Sequence, residues 1–349
     1  MNSKRYLVVS ASFNGTDLFR FLRDATSENE PLGIRSMRSF FKHKNVITKD
    51  KGRLRLFGKP SIVFVDGITD MDLTAEKLLN KLDLPQKIER IAVKMNLCDY
   101  RRPETGAVSD PQVLESLLRG LRKKYPDSAI SIVENDATSV SADRMIRYLG
   151  IDKISEKYSA EVVNLAHGKW ITKQIDGYFT KSIEVPVILE DCDLLITHPK
   201  LKTHSMTKIT CGLKNMFGCY RRKQKVKFHK FLDEAIVDIN LALKPNVSIV
   251  DANICMEGIG GPCYGFPIKL GLMIAGKDVV AVDAFCARLI GFRPWFVGHI
   301  RKAASKDIGH LSYELSDCFN LGDKKLYHFE FDRTLYYLMK LSRTSGGFA

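Results

Sequence analysis

Residues 192–218 read CDLLITHPKLKTHSMTKITCGLKNMFG, and the rest of the chain is interpreted outward from this stretch. It begins with an apolar run, 194–197, that is typical of a buried strand and that Pro199 interrupts. Polar residues then follow more densely than a hydrophobic core favours: His198, Lys200, Lys202, Thr203, His204, Lys208, Thr210, Lys214 and Asn215. This pattern predicts a loop that leaves the end of the strand, rather than a second strand.

A loop at the C-terminal end of a strand is a typical place for a ligand site in an open α/β sheet. Lysine side chains bind anions as compact point charges. The stretch therefore predicts a cationic site for a small anion, a carboxylate or a phosphate. The alternative is a basic loop that is simply exposed to solvent, which is the commoner role of a run of charges.

Apolar strands and amphipathic helices alternate along much of the chain. Strands are predicted at 61–66, 88–93, 129–133, 161–165, 193–197, 247–250 and 270–275. Asp110 and Pro111 are predicted to be the N-cap and first residue of a helix. The pattern predicts an α/β fold with a largely parallel sheet, helices on both faces, and a ligand crevice at the C-terminal ends of the strands.

Polar residues follow several predicted strands, and parallel strands bring such ends to one edge of the sheet. Lysines and amides at this edge are expected to bind the substrate: Lys94, Asn96, Lys200, Lys214 and Asn215. A glycine-rich segment is expected to bring backbone amides to the same ligand, through Gly258, Gly260 and Gly261. The candidate catalytic residues for polarisation and proton transfer are Lys202, His204, His229, Asp251 and Glu134.

The composition restricts the class of partner and the location. The chain has 349 residues and a formal net charge of +14, which favours anionic partners. No apolar run has the length of a membrane span. Asp17 and Arg20 interrupt the N-terminal region where a signal peptide is continuously apolar. We therefore expect a cytoplasmic protein without a membrane span.

The cysteines give a second hypothesis. Of the eight cysteines none has a CxxC spacing, but Cys211 and Cys219 are separated by the same interval as Cys255 and Cys263. All four lie in polar, glycine-containing segments, so they are candidate ligands of a metal ion or an iron–sulfur cluster, as in a redox protein. His204 and His229 are alternative metal ligands. The alternative is that the four cysteines are small buried hydrophobic residues, as most cysteines are.

Two basic segments, 35–59 and 221–227, give a third hypothesis, nucleic-acid binding. Neutralisation of phosphates by such segments would make the affinity depend steeply on salt. Few aromatic residues lie among these charges, and no RNA-binding signature is present. Nucleic acid is therefore a less favoured partner than a small anion.

Several separated motifs follow one another along the chain. They are Lys94-Met-Asn96, Asp110-Pro111, Lys200-Leu-Lys202-Thr-His204, Thr210 with Leu213-Lys214-Asn215-Met-Phe-Gly218, His229, Asp251 with Glu257-Gly258-Ile-Gly260-Gly261-Pro262, and Asp278-Val-Val-Ala281-Val-Asp283-Ala284. In this order the motifs resemble the domain-of-unknown-function 362 family, DUF362. The resemblance covers residues 88–322 and implies an α/β domain there. It divides the chain further into a basic N-terminal extension at 1–87, expected to pack on the core, and a C-terminal tail at 323–349.

The resemblance implies little chemistry. Many members of the family carry a ferredoxin-like module with CxxC cluster ligands, and this chain has no such module. The family is also similar in layout to the nickel-pincer lactate racemases, which is a likeness of fold alone. From the residues themselves we expect an enzyme that binds a small anion and abstracts a proton next to a carbonyl, as isomerases and lyases do.

Overall fold

The structure is a computed structural model. It describes residues 60–258, 262–316 and 329. Three predicted features lie outside the described residues: the basic segment 35–59, the pair Gly260 and Gly261, and all of the tail at 323–349 except Phe329. The boundary at residue 87 and the packing of the N-terminal extension remain predictions.

One sheet of ten strands runs through the described residues, and its centre is parallel. The described residues form twelve strands in all, ten of them in this sheet: β1 (Ser61–Gly67), β2 (Arg90–Lys94), β3 (Ala129–Glu134), β4 (Ala160–Asn164), β5 (Trp170–Gln174), β6 (Ser182–Pro186), β7 (Leu194–Thr197), β8 (Lys200–His204), β9 (Lys208–Thr210), β10 (Val247–Glu257), β11 (Phe266–Gly276) and β12 (Tyr313–Leu315). Their order is β12-β1-β11-β10-β7-β2-β3-β4, with β8 paired to β10 and β9. Neighbours from β10 to β4 are parallel, whereas β11 is antiparallel to both β10 and β1. β5 and β6 form a separate antiparallel pair.

Helices connect the parallel strands. They are α1 (Met71–Lys81), α2 (Pro111–Lys124), α3 (Ala142–Tyr148), α4 (Ile151–Lys157), α5 (Val187–Glu190), α6 (Gly212–Met216), α7 (Arg222–Phe228), α8 (Leu232–Leu243), α9 (Val279–Leu289) and α10 (Gly298–Ser305). Between β2 and β3 lies α2, and between β3 and β4 lie α3 and α4. Parallel neighbours need such crossovers, because a tight hairpin can join only antiparallel strands.

Strand residues alternate between two hydrophobic cores, one on each face of the sheet. In β2, Ile91 and Val93 pack in the core that includes residues of α1, α2 and α3. Ala92 packs in the other core, with residues of α8, α9 and α10. Because both faces are covered, the central strands are apolar throughout, which made them recognisable in the sequence. The predicted α/β fold with a largely parallel sheet and helices on both faces is confirmed.

The start of α2 matches its sequence signal. The Asp110 side chain accepts a hydrogen bond from the Gln112 backbone N–H at 2.9 Å, and Pro111 is the first helical residue. The backbone N–H of Asp110 donates in turn to Asp251 Oδ2 at 2.9 Å. The cap thus ties the start of α2 to β10, which is at the same edge as the predicted site.

The loop predicted after Pro199 is wrong, because Lys200–His204 form β8 and every residue of this strand is buried. Lys200 and Lys202 are two residues apart, so in a strand both side chains leave the same face and can find partners there. A run of polar residues therefore did not argue against a strand. Asp251 was also predicted at the end of its strand, but β10 continues to Glu257 and Asp251 lies within it.

The connection between β2 and α2 passes very close to β10. Gly106, in this connection, has a φ of +71°, and a Cβ atom there would lie 2.2 Å from the carbonyl oxygen of Cys255. Gly150, which precedes α4, has a similar φ of +68° but no atom within 4 Å of the position of its Cβ. The two glycines share a backbone conformation and differ only in their surroundings.

Gly106→Ala is expected to destabilise the protein by more than Gly150→Ala does. Both substitutions place a Cβ on a residue in the left-handed region, which costs roughly 1–2 kcal/mol. Only the first also pushes the β2–α2 connection away from β10. Urea unfolding of the two variants measures the difference in the free energy of unfolding. Equal losses in the two variants would contradict the close approach.

Candidate functional site

Three lysines at the C-terminal edge of the central strands are almost fully buried. Lys94, at the end of β2, is 1 % exposed, and Lys200 and Lys202, in β8, are 0 % exposed. Lysine is rarely buried unless its charge is paired, because removing an ammonium group from water costs several kcal/mol. What each ammonium group contacts therefore decides what it can do.

Lys94 is paired with Glu134. Its Nζ lies 2.5 Å from Glu134 Oε1 and donates to the Met95 carbonyl at 2.6 Å. Glu134 also accepts hydrogen bonds from the backbone N–H groups of Leu97, at 2.7 Å, and Asn135, at 2.8 Å. Both carboxylate oxygens are engaged, so we assign Glu134 to holding Lys94 in place rather than to proton transfer.

Lys200 is paired with Asp251. Its Nζ lies 2.6 Å from Asp251 Oδ2, and both side chains are completely buried. Asp251 also accepts hydrogen bonds from the backbone N–H groups of Asp110, at 2.9 Å, and Asn253, at 3.2 Å. This pair therefore joins β8, β10 and the start of α2, and we assign Asp251 to holding this junction rather than to proton transfer.

Two predicted amides form a hydrogen-bond network that fixes α6 to the strand ends. Asn215 Nδ2 donates to the Lys94 carbonyl and to Thr197 Oγ1, both at 3.0 Å. Asn96 Nδ2 donates to Asn215 Oδ1 at 3.3 Å, and Asn96 Oδ1 has no partner among the described residues. The network connects β2, β7 and α6, and leaves one buried acceptor unused.

A carboxylate from α9 fixes the N-terminus of α6. Asp283 accepts hydrogen bonds from the backbone N–H groups of Gly212, at 2.8 Å, and Leu213, at 3.0 Å. Such contacts satisfy N–H groups that a helix leaves without intrahelical partners. Burial nevertheless raises the pKa of Asp283 to about 6. α6 therefore holds the next residue, Lys214, in a defined position.

Lys214 differs from the buried lysines because no carboxylate in the described part of the chain pairs with it. Its Nζ lies over the ring of Phe217, 4.7 Å from the centroid, and the residue is partly exposed. Burial of the ammonium group, followed by the charges of Lys202, Lys225 and Lys94, lowers the pKa of Lys214 to about 8. The Cys98 sulfur opposes this lowering, and Lys214 is therefore a cation at the edge of the sheet without a carboxylate partner among the described residues.

Lys202 contacts neutral carbonyls and a cysteine. Its Nζ donates to the Ala107 carbonyl, to the Pro262 carbonyl at 3.1 Å and to Cys98 Sγ at 3.1 Å. Cys98 was missed in the sequence, although it follows Lys94 and Asn96 by only a few residues. A single cysteine in a loop has no spacing pattern, and proximity to the strand end was the one available signal.

Gly258 begins the glycine-rich segment next to β8. It has a φ of +96°, a conformation that favours glycine, and its carbonyl accepts a hydrogen bond from Thr203 Oγ1 at 2.6 Å. Its predicted role in ligand binding is not tested by these contacts. Gly260 and Gly261 lie outside the described residues.

His204 is buried and neutral. Its Nδ1 accepts hydrogen bonds from the backbone N–H groups of Met206, at 3.1 Å, and Thr207, at 3.3 Å. Because a backbone N–H only donates, the proton of the neutral ring is on Nε2. Burial, and then the charges of Lys214 and Lys202, lowers the pKa of His204 well below its ordinary value. In this state His204 is a hydrogen-bond donor rather than a base.

His229 has the opposite tautomer. Its Nδ1 lies 2.6 Å from the Lys225 carbonyl, which can only accept, so Nδ1 carries the proton and Nε2 is the basic nitrogen. The residue is exposed, and its ring packs edge-on against Phe217 with the centroids 5.8 Å apart. Lys214 and His229 therefore contact the same aromatic ring.

The four candidate metal ligands do not form a common site. Among the described residues, no group of three or more His, Cys, Asp or Glu side chains is arranged to hold a metal ion. Cys211, Cys219 and Cys255 are buried, and burial raises the pKa of each thiol. Cys263 is partly exposed and lies beside Cys98 instead.

The basic segment 221–227 is largely engaged by the protein itself. Arg221 pairs with Glu184 at 3.0 Å, and Arg222 donates to the Thr138 carbonyl. Lys225 was not singled out in the sequence as part of the anion site; it is buried and donates to the Asp136 carbonyl at 2.8 Å. Binding of nucleic acid through this segment remains a prediction.

A family model described as a domain of unknown function, DUF362, matches residues 91–288, more than half of the chain. The chain belongs to this family. The matched region contains the buried ion pairs, Lys214 and both candidate histidines. The resemblance predicted from the separated motifs is confirmed.

The chain is also similar to a curated protein, the thylakoid-associated protein sll1697 of Synechocystis sp.. The two are 26 % identical over 215 residues, which covers 59 % of this chain and 64 % of the relative. The match thus spans less than two thirds of that protein.

Within the described residues no helix is long and apolar enough to cross a membrane, and the cytoplasmic location remains a prediction.

Among solved structures, the chain is similar to the lactate racemase apoprotein from Thermoanaerobacterium thermosaccharolyticum. The TM-score is 0.42 at 12 % identity, over 68 % of this chain and 58 % of that one.

Lys200→Met is expected to lower the free energy of unfolding by roughly 3–5 kcal/mol, because Asp251 is then left buried without its counter-ion. Asp251→Leu should lower the free energy of unfolding by at least as much, since two backbone N–H groups also lose their acceptor. The double variant should lose less than the sum of the single losses, since neither charge is left alone. Urea unfolding of the three variants provides the comparison.

Lys181→Met is the matched control, because it removes an exposed ion pair with Asp176 of similar length, 2.5 Å. Little or no decrease in the free energy of unfolding is expected in Lys181→Met, since solvent screens an exposed ion pair. Strictly additive losses at Lys200 and Asp251 would contradict the pairing.

Proposed function

We propose that this edge of the sheet binds a small anion, a carboxylate or a phosphate, and that the protein is an enzyme that transfers a proton on that anion. The observation that carries the proposal is Lys214. Lys94 and Lys200 are each neutralised by a carboxylate within 2.6 Å, whereas Lys214 has no such partner in the described residues and is partly exposed. Of these lysines, Lys214 is the one suited to an external anion.

The electrostatic field at Lys214 supports the same assignment. Lys202, Lys225 and Lys94 all act to lower the pKa of Lys214, which means that each destabilises its charged form. An anion that binds there relieves this repulsion and replaces the lost hydration. Binding should therefore raise the pKa of Lys214 and be coupled to proton uptake.

Two histidines with opposite tautomers supply complementary proton chemistry. His229 presents Nε2 as a base and is exposed, while His204 presents Nε2–H as a neutral donor. A neutral donor of this kind can stabilise a developing oxyanion, and a base close to the bound anion can remove a proton. We assign the base to His229 and the donor to His204.

This arrangement fits proton abstraction next to a carbonyl or carboxylate, the chemistry of isomerases and lyases. The cations would stabilise the charge that develops on the substrate oxygen as the carbon loses its proton. Glu134 and Asp251 have no part in this step, because their oxygens are committed to Lys94 and Lys200.

The metal or redox hypothesis has less support. Of its four candidate cysteines, three are buried thiols of raised pKa, and among the described residues neither the cysteines nor the histidines belong to a group of three or more possible metal ligands. Nucleic-acid binding through 221–227 also has less support, because Arg221, Arg222 and Lys225 contact other groups of the protein.

The affinity for sulfate, whose charge is constant over neutral and alkaline pH, is expected to fall as the pH rises through about 8. Above that pH Lys214 loses its proton, and each further unit should weaken binding by up to about tenfold. Below it the ammonium group is charged and the affinity should level off. Isothermal titration calorimetry over this pH range measures the dependence.

Lys214→Met should abolish the pH-dependent part of the affinity, and Lys153→Met, which removes an exposed lysine of α4, should leave it unchanged. A sulfate affinity that is unaltered in Lys214→Met would remove this residue from the site.

The protein is expected to exchange carbon-bound hydrogen of a small carboxylate with deuterium from D2O, and His229→Gln should slow this exchange roughly 100-fold or more. Proton NMR of a panel of carboxylates with a hydrogen next to a carbonyl or carboxylate measures the rate. His167→Gln is the control, since His167 is an exposed histidine that pairs with Asp143.

The outcomes separate two parts of the proposal. Unchanged exchange in His229→Gln would exclude His229 as the base. Sulfate binding without exchange of any carboxylate by the unaltered protein would refute the reaction class while leaving the anion site intact.

A further inference from the structure

Two cysteines from different connections meet beside Lys202. Cys98 lies in the connection between β2 and α2, and Cys263 lies in the connection between β10 and β11. The Cys98 sulfur is 3.1 Å from Lys202 Nζ and is hydrogen-bonded to the Cys263 thiol. Cys263 was a candidate metal ligand because of its spacing from Cys255, but its actual partner is a residue that has no such spacing.

These contacts favour the thiolate form of Cys98. The hydrogen bond from Cys263, and then the Lys202 charge, lowers the pKa of Cys98 to about 5 against the opposing effect of burial. The pKa of Cys263 is raised, chiefly by its hydrogen bond to Cys98 and by burial. At neutral pH the pair is therefore one thiolate and one thiol, and both residues are partly exposed. The other charged groups that act on the pair are Lys214, on Cys98, and Asp99, on Cys263.

We propose that Cys98 and Cys263 are a site of reversible oxidation, in which Cys98 reacts with a hydroperoxide and Cys263 closes a disulfide with it. The proposal rests on the contacts between the two sulfurs and Lys202, and it is independent of the anion-binding function. No other pair of cysteines in the described residues combines partial exposure, a hydrogen bond between the two thiols and a lysine contact.

In the first step the Cys98 thiolate attacks the terminal oxygen of the hydroperoxide. A sulfur–oxygen bond forms and the oxygen–oxygen bond breaks, so the sulfur is oxidised by two electrons to a sulfenic acid. The leaving alkoxide, or hydroxide when the oxidant is hydrogen peroxide, takes a proton from solvent. The peroxide is thereby reduced to an alcohol or to water.

In the second step the Cys263 thiol attacks the sulfenic sulfur. A sulfur–sulfur bond forms, the sulfur–oxygen bond breaks, and the leaving hydroxide takes the Cys263 proton to become water. The hydrogen bond between the two side chains places the sulfurs next to each other, as this attack requires. In the disulfide the Cys98 sulfur has no charge, so oxidation removes the anion that Lys202 contacts.

The experiment treats the reduced, full-length protein with an equimolar amount of hydrogen peroxide and identifies the cysteines by alkylation and peptide mass spectrometry. A peptide pair linked through Cys98 and Cys263 is expected, together with the loss of two free thiols and a mass decrease of about 2 Da. Cys192→Ser should behave as the unaltered protein, since burial raises the pKa of this partly exposed thiol to about 11. Linkage of either cysteine to a different partner, or oxidation of Cys192 before Cys98, would refute the proposal.

Cys263→Ser provides a second measurement that does not depend on the linked peptide. Without the resolving thiol, the Cys98 sulfenic acid should persist and react with dimedone, giving many-fold more labelled Cys98 than in the unaltered protein. Equal labelling in the two proteins would show that Cys263 does not resolve Cys98. Circular dichroism of the variant confirms that it is folded before labelling.

Discussion

The stability of the sheet at the C-terminal edge of its central strands depends on neutralising the charges of lysines that are buried there. Lys200 and Asp251 form the central pair, because it is completely buried and connects β8, β10 and the start of α2. Lys94 and Glu134 form a second pair between β2 and β3. Isolated ammonium groups at these positions would be strongly destabilising, so the partners are as necessary to the structure as the lysines themselves.

This requirement divides the charged residues by role. A carboxylate that accepts from a lysine and from two backbone N–H groups is held in one state and is a poor proton carrier, which describes both Glu134 and Asp251. The proposed chemistry is therefore assigned to other groups. Lys214, on a short helix anchored by Asp283, is partly exposed, and His229, whose ring packs edge-on against Phe217, is exposed.

The sequence predicted which polar residues lie at this edge of the sheet better than it predicted the contacts that each of them makes. Apolar runs identified the central strands because these strands are covered on both faces, but β8 was missed because its residues are polar and find their partners elsewhere in the chain. Glu134 follows Lys94 by 40 residues and Asp251 follows Lys200 by 51, so nothing local showed which charges cancel. The tautomers of His204 and His229 depend on backbone groups of neighbouring turns, which a pattern of residue types does not reveal. No sequence motif marked Cys98, and the interval between Cys255 and Cys263 suggested Cys255 rather than Cys98 as the partner of Cys263.

The Cys98 thiolate and an external anion are alternatives in the same positive field. The thiolate contacts Lys202 and also favours the charged form of Lys214, so the protein already holds one anion of its own at this edge. A substrate anion at Lys214 gains from the ammonium charge but is repelled by the thiolate. Loss of the thiolate charge removes that repulsion and at the same time lowers the pKa of Lys214. At a pH well below this lowered pKa the ammonium group stays charged, so only the relief of repulsion acts on the anion; at higher pH the loss of the Lys214 proton opposes binding. The buried ion pairs therefore fix the framework, and in the proposed site the balance among one thiolate and two lysines would determine how strongly that framework attracts an anion.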